Sequence, residues 1–136
     1  MDWTTFFILY AISVPLFLLI DLLWLGVVAK KFYRQQLGHV MGDINWPAAL
    51  TFYALFLVGL TFFASYPASQ SMSISTAAGL GALFGFFTYA TYDLTNLATL
   101  RDWPLPVVVV DIIWGTALGT LVAAATVAVY SSFLLG

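Results

Sequence analysis

The chain contains no cysteine, and it also lacks glutamate altogether: its six acidic residues are all Asp, set against four Lys or Arg. Without cysteine there is no disulfide framework, no thiolate metal site and no cysteine nucleophile. Four basic residues and a net charge of −2 leave no electrostatic footprint for nucleic acid, so no nucleic-acid partner is expected. Charge itself is the scarcest commodity. Soluble domains carry about 25% Asp, Glu, Lys and Arg, whereas here the figure is 7%. A water-soluble globule is excluded, and most of the surface must face lipid. No polar linker or low-complexity tract divides the 136 residues, which read as a single integral membrane domain.

What fills the chain instead is apolar: 62% of it is hydrophobic and the mean hydropathy is +1.00. A membrane-crossing helix needs roughly 20 apolar residues, and four stretches qualify, Thr4 to Ala29, Trp46 to Ser65, Ser75 to Leu100 and Pro104 to Phe133. The runs are too long, and too lacking in alternation, for barrel strands. The expected fold is therefore an all-α membrane protein, a four-transmembrane-helix bundle made of two antiparallel hairpins. The first stretch has no basic leader and carries Asp21, so it reads as a retained helix rather than a signal peptide. Lys30, Lys31, Arg34 and Arg101 all fall on one side, which the positive-inside rule makes cytoplasmic, with both termini outside.

The hairpins share their punctuation. Asn45-Trp46-Pro47 and Asp102-Trp103-Pro104 each offer an N-cap oxygen, an interfacial indole and a first-turn proline. This reads either as a weak duplication with parallel repeats or as a good way, used twice, to start a membrane helix. Gly81 and Gly85, and Gly115 and Gly119, form GxxxG pairs, packing features that also offer a face for a homodimer.

Three Asp residues lie where a carboxylate costs about 3 kcal/mol even on a lenient insertion scale. At 1.5 Å per residue, Asp21 lies roughly 12 Å before Ala29, Asp93 roughly 10 Å before Leu100 and Asp111 roughly 10 Å after Pro104, a common depth in the cytoplasmic half. Tyr89, Tyr92, Asp93 and Asn96 share one helix face by their spacing. Trp24 follows Asp21, and Trp114 follows Asp111, at i+3, and Tyr53 sits at a similar level on the second helix. The sequence thus predicts a ligand pocket lined by Asp21, Trp24, Tyr53, Tyr89, Tyr92, Asp93, Asn96, Asp111 and Trp114. Trp3, Trp46 and Trp103 read as interfacial anchors. Lys30 to Met41 reads as a short interfacial helix with Phe32, Tyr33, Leu37 and Met41 toward lipid, carrying the lone His39 as a solvated loop residue.

The segments Asp21-Leu-Leu-Trp24-Leu-Gly26, Phe52-Tyr53, Thr91-Tyr92-Asp93-Leu-Thr-Asn96 and Asp111-Ile-Ile-Trp114-Gly115 resemble the signature of the DUF2177 family, small bacterial membrane proteins of unknown function. The resemblance implies four helices and a bacterial inner (cytoplasmic) membrane; it brings no catalytic residues. Buried carboxylates mark ligand or proton pathways, or else serve as interhelical glue. An acidic, aromatic-lined pocket suits a small cationic or amphiphilic lipid ligand, bound or transported. The alternatives are a lipid-modifying enzyme using Asp and Tyr as acid and base, and a structural subunit of a membrane complex. Carboxylates would suit Mg²⁺ or Ca²⁺, but the clustered acidic motifs of membrane prenyl transferases are missing, so neither a metal nor a cofactor is expected.

Overall fold

The computed structural model describes residues 1–136. It is all helix, and its four long helices are each long and apolar enough to cross a membrane. α1 covers Trp3–Val28, α2 is the short Lys30–Leu37, α3 covers Trp46–Ser69, α4 Ile74–Thr99 and α5 Leu105–Leu135. Each start has a local cause. The Asp2 carboxylate accepts the Thr4 and Thr5 amides, Asn45 accepts that of Ala48 and Ser73 that of Thr76, so three of the four long helices begin with a side-chain cap. The Asp2 carboxyl is held below the usual carboxylate range, first by its hydrogen bond from the Thr5 side chain.

The fourth start differs from the sequence expectation. Asp102 does not cap α5; it adopts the left-handed region at φ 57°, and Pro104, with no side-chain cap bond, is the N-cap residue. Pro104 disfavours helical backbone at Trp103, so the tight link between α4 and α5 turns at Asp102 instead. The punctuation of the two hairpins is alike in sequence and unlike in geometry.

α3 runs four residues beyond the expected end, through Tyr66-Pro67 to Ser69. A π turn over Thr61–Ser65 makes this possible, because such a turn re-satisfies backbone groups near an intramembrane proline. A second π turn, Trp24–Val28, closes α1 and delivers the chain into α2.

The hairpins also pack differently. α4 lies along α5 through most of its length, with buried Gly81 against Gly119 and Gly85 against Gly115. A Cβ built on Gly85 would stand 2.0 Å from the Gly115 carbonyl oxygen, and one on Gly81 would stand 2.2 Å from that of Gly119. Apolar burial gives helices little reason to associate in lipid, so this close backbone approach is the main adhesive. The GxxxG faces expected to carry a homodimer are thus filled by the chain's own hairpin. α1 packs mainly on α5, while α3 meets α4 chiefly through its π turn. Beyond that turn α3 and α4 are bridged by rings rather than backbone: Phe56 lies 5.3 Å from Phe84 and 6.1 Å from Tyr89, centroid to centroid. A buried cluster that includes Phe17, Phe56, Leu60, Leu118 and Val122 fills the centre.

A crossed carboxylate site at one end of the bundle

The residues singled out by depth gather at the end where α1 passes into α2 and α4 turns into α5. Asp21 is 3% exposed, and its Oδ1 accepts the Trp114 indole N–H at 3.2 Å. Trp114 stacks on Trp24 with centroids 4.3 Å apart and planes 6° from parallel. The Trp24 indole donates to the Tyr33 hydroxyl at 3.3 Å, and Tyr33 donates to Asp111 Oδ1 at 2.8 Å. The i+3 spacing places each indole one turn from the carboxylate on its own helix, yet the bonds cross: Trp114 of α5 serves Asp21 of α1, and Trp24 of α1 serves Asp111 of α5 through Tyr33. Stacking brings the indoles together and leaves the Trp114 N–H on Asp21 and the Trp24 N–H on the Tyr33 hydroxyl. Tyr53 of α3 stands beside Asp21 and packs edge-on against Phe17 at 5.1 Å.

Asp93 of α4 is placed differently. It is fully buried, and neither carboxyl oxygen has a hydrogen-bond partner. The Asp111 carboxyl and the Trp103 indole stand beside it, yet neither completes a bond to it, and Trp103 Nε1 is itself buried without an acceptor. All four basic residues are exposed, so no cation from this chain enters the site.

A cavity of about 350 Å³ opens beside Asp111, between α3, α4 and α5, lined by Phe52, Thr88, Tyr89, Tyr92 and Asp111. Only three of the nine residues expected to line a pocket do so. Trp24 and Trp114 stack on each other rather than lining the cavity, and Asp93 lies buried beside Trp103. Tyr92 is exposed at the mouth, and Asn96, beside it on α4, is half-buried. The acids therefore form a row rather than one cluster, Asp21 and Asp111 joined through the stacked indoles and Tyr33, and Asp93 beside Asp111 without a bond to it. No group of three His, Asp or Glu side chains is close enough to hold a metal ion.

Two of the residues here were expected elsewhere. Tyr33 faces inward to Asp111, not toward lipid, because the chain bends at Ala29 (φ −107°, ψ 2°) and lays α2 across the bundle's end. Burial and the adjacent Asp111 charge push its phenol above the usual range. Trp103, expected as an interfacial anchor, is half-buried, edge-on to Tyr92 at 6.0 Å. Phe52 was legible only as the neighbour of Tyr53, and Thr88 carried no signal. His39 reaches the Asp102 carbonyl at 3.1 Å, tying the loop after α2 to the α4–α5 turn.

Fold and composition together define a multi-pass α-helical membrane protein. The model of the family described as "Predicted membrane protein (DUF2177)" matches residues 6–128, and the chain belongs to that family. No curated protein and no solved structure matches it.

Proposed function

We propose that this protein binds, and in its membrane moves, a small cationic or amphiphilic ligand at the carboxylate row, in the cytoplasmic half of a bacterial inner membrane with both termini outside. Asp93 carries the reading. Interhelical glue accounts for Asp21 and Asp111, each of which receives a hydrogen bond from another element. It does not account for an acid buried completely, beside a second acid, with both oxygens unpartnered. Burying such a group is costly unless a proton, a charge or a donor meets it, and with every Lys and Arg at the surface any counter-charge comes from outside the chain. The phenol and phenyl rings around the cavity supply π faces, which attract a desolvated cation by roughly 2 kcal/mol. The four basic residues lie at the α1–α2 and α4–α5 end, which supports the orientation.

The test is equilibrium binding of radiolabelled benzyltrimethylammonium to the purified protein in phosphatidylcholine nanodiscs. Asp111→Asn is expected to weaken it about tenfold, a loss of about 1.4 kcal/mol, with the protein still monodisperse. Equal binding by the wild type and this variant, or preference for an uncharged isostere, would sink the reading.

A further inference from the structure

A second hollow adjoins the first. It has a volume of about 650 Å³ and runs along the α3–α4 cleft, its walls including Phe63, Leu83, Phe84 and Phe87. Thr88 lines both hollows, so the two are neighbours along one cleft with a single residue at the junction. On one side stands the Asp111 carboxylate among tyrosines; on the other there is no charged group, and the walls are hydrocarbon and aromatic apart from Thr88 and Thr91, the latter donating its hydroxyl to the Phe87 carbonyl at 2.6 Å. Thr88 adds little polarity to the junction, since its hydroxyl donates back to the Phe84 and Gly85 carbonyls at 2.8 and 3.1 Å.

The cleft has a structural cause. α3 and α4 are drawn together by the π turn and otherwise propped apart by rings. Gly59 lets one of those rings lie close to α3, since a Cβ there would stand 2.6 Å from Phe84 Cζ. Phe63 stacks on Phe84 at 6.0 Å and extends the aromatic wall outward. From Tyr92 to Leu80, the ends of the two hollows on α4, is 12 residues, about 18 Å at 1.5 Å each. One leaflet of hydrocarbon is about 15 Å, half of the bilayer core.

We infer that the cleft seats an amphiphile whose ammonium head meets Asp111 and whose alkyl chain lies along α4 past Thr88, entering sideways from the bilayer. This rests on the cation-binding reading above and names the ligand class. Charge complementarity fixes the head, and the apolar continuation fixes the chain. The exposed Phe52 and Tyr92 place the mouth on the lipid-facing surface rather than inside the bundle.

The experiment is competition against bound benzyltrimethylammonium in the same nanodiscs, with competitors compared at equal mole fraction in the membrane so that partitioning cancels. Hexadecylammonium is expected to displace it at about tenfold lower mole fraction than butylammonium, the scale of a packing contribution within lipid, and hexadecanol not at all. Leu83→Trp narrows the cleft from an exposed position; it is expected to erase the chain-length advantage while leaving benzyltrimethylammonium binding unchanged. Leu80→Trp, which lines only the second hollow, is the second blocking variant should the first fail to fold. Hexadecylammonium and butylammonium competing equally, with binding still dependent on Asp111, would overturn the seated chain alone. Competition by hexadecanol equal to that by hexadecylammonium would overturn the charged head, and the proposed function with it.

Discussion

The two halves of the α4–α5 hairpin hold together by opposite means. Toward the α3–α4 link the helices touch backbone to backbone through four glycines, and nothing but a hydrogen atom fits between them. Toward the α4–α5 turn the hairpin holds Tyr89, Asp93, Trp103 and Asp111, bulky or polar groups, of which Asp93 and Trp103 are buried without hydrogen-bond partners. Tyr89 marks the boundary: its ring lies over Gly115, where a Cβ would stand 2.1 Å from the ring carbon Cγ. The comparison teaches a division of labour. Close backbone packing holds the hairpin at one half and the acids sit at the other, the arrangement expected where a site is maintained for function.

The strongest way to break this comparison is to spoil the glycine half. Gly85→Leu places its side chain against the Gly115 carbonyl, which is backbone and cannot swing aside. Overpacking of this kind costs about 3 kcal/mol or more. Loss of monodisperse protein in mild detergent is the expected outcome, and normal thermal stability would show that the glycine contact is not what holds the hairpin. Next in size is Trp114→Phe. It keeps a ring to stack on Trp24 but removes the donor to Asp21, and the cost expected from a thermal melt is about 1–2 kcal/mol.

Asp93→Asn sharpens the contrast by its sign. The native carboxyl has no donor on either oxygen, whereas an amide removes the buried acid and can donate to the neighbouring Asp111. The variant is expected to be more stable than the wild type by about 1 kcal/mol, while losing affinity for benzyltrimethylammonium. A stabilised, non-binding protein separates function from glue; a destabilised one would return Asp93 to a structural role.

The sequence carried the helices well because membrane crossing depends on little beyond apolar length and the residues that punctuate it. Counting from the loops expects Asp21, Asp93 and Asp111 at one level; Asp21 bonds to Trp114 and Asp111 to Tyr33, while Asp93 bonds to neither acid's partners. Partner choice was not legible. A GxxxG pair announces that a backbone will come close without saying whose, and here it belongs to the next helix. The i+3 spacing of Trp24 and Trp114 gave their faces but not the exchange of acids between α1 and α5, which depends on how two helices far apart in sequence meet. Tyr33 was misread because α2 has an apolar face on any reckoning; only the bend at Ala29 decides whether that face meets lipid or the bundle's end.

The smallest effect tests that bend. Tyr33→Phe removes one hydroxyl, leaving Asp111 Oδ1 and the Trp24 indole each without a partner, at a cost of about 0.6 kcal/mol by the average for hydrogen bonds in membrane proteins. The variant also has a pH signature. Burial, followed by the Asp111 charge, raises the Tyr33 phenol above its ordinary value of 10.0, so the folded protein holds this proton more tightly than the unfolded chain. The associated stability is complete below about pH 10 and is lost as pH climbs from there through the raised folded value. Melting temperatures measured from pH 8 to pH 12 should fall more steeply for the wild type than for Tyr33→Phe. Parallel curves would mean that the phenol is not held against Asp111, and that α2 does not seal this end of the site.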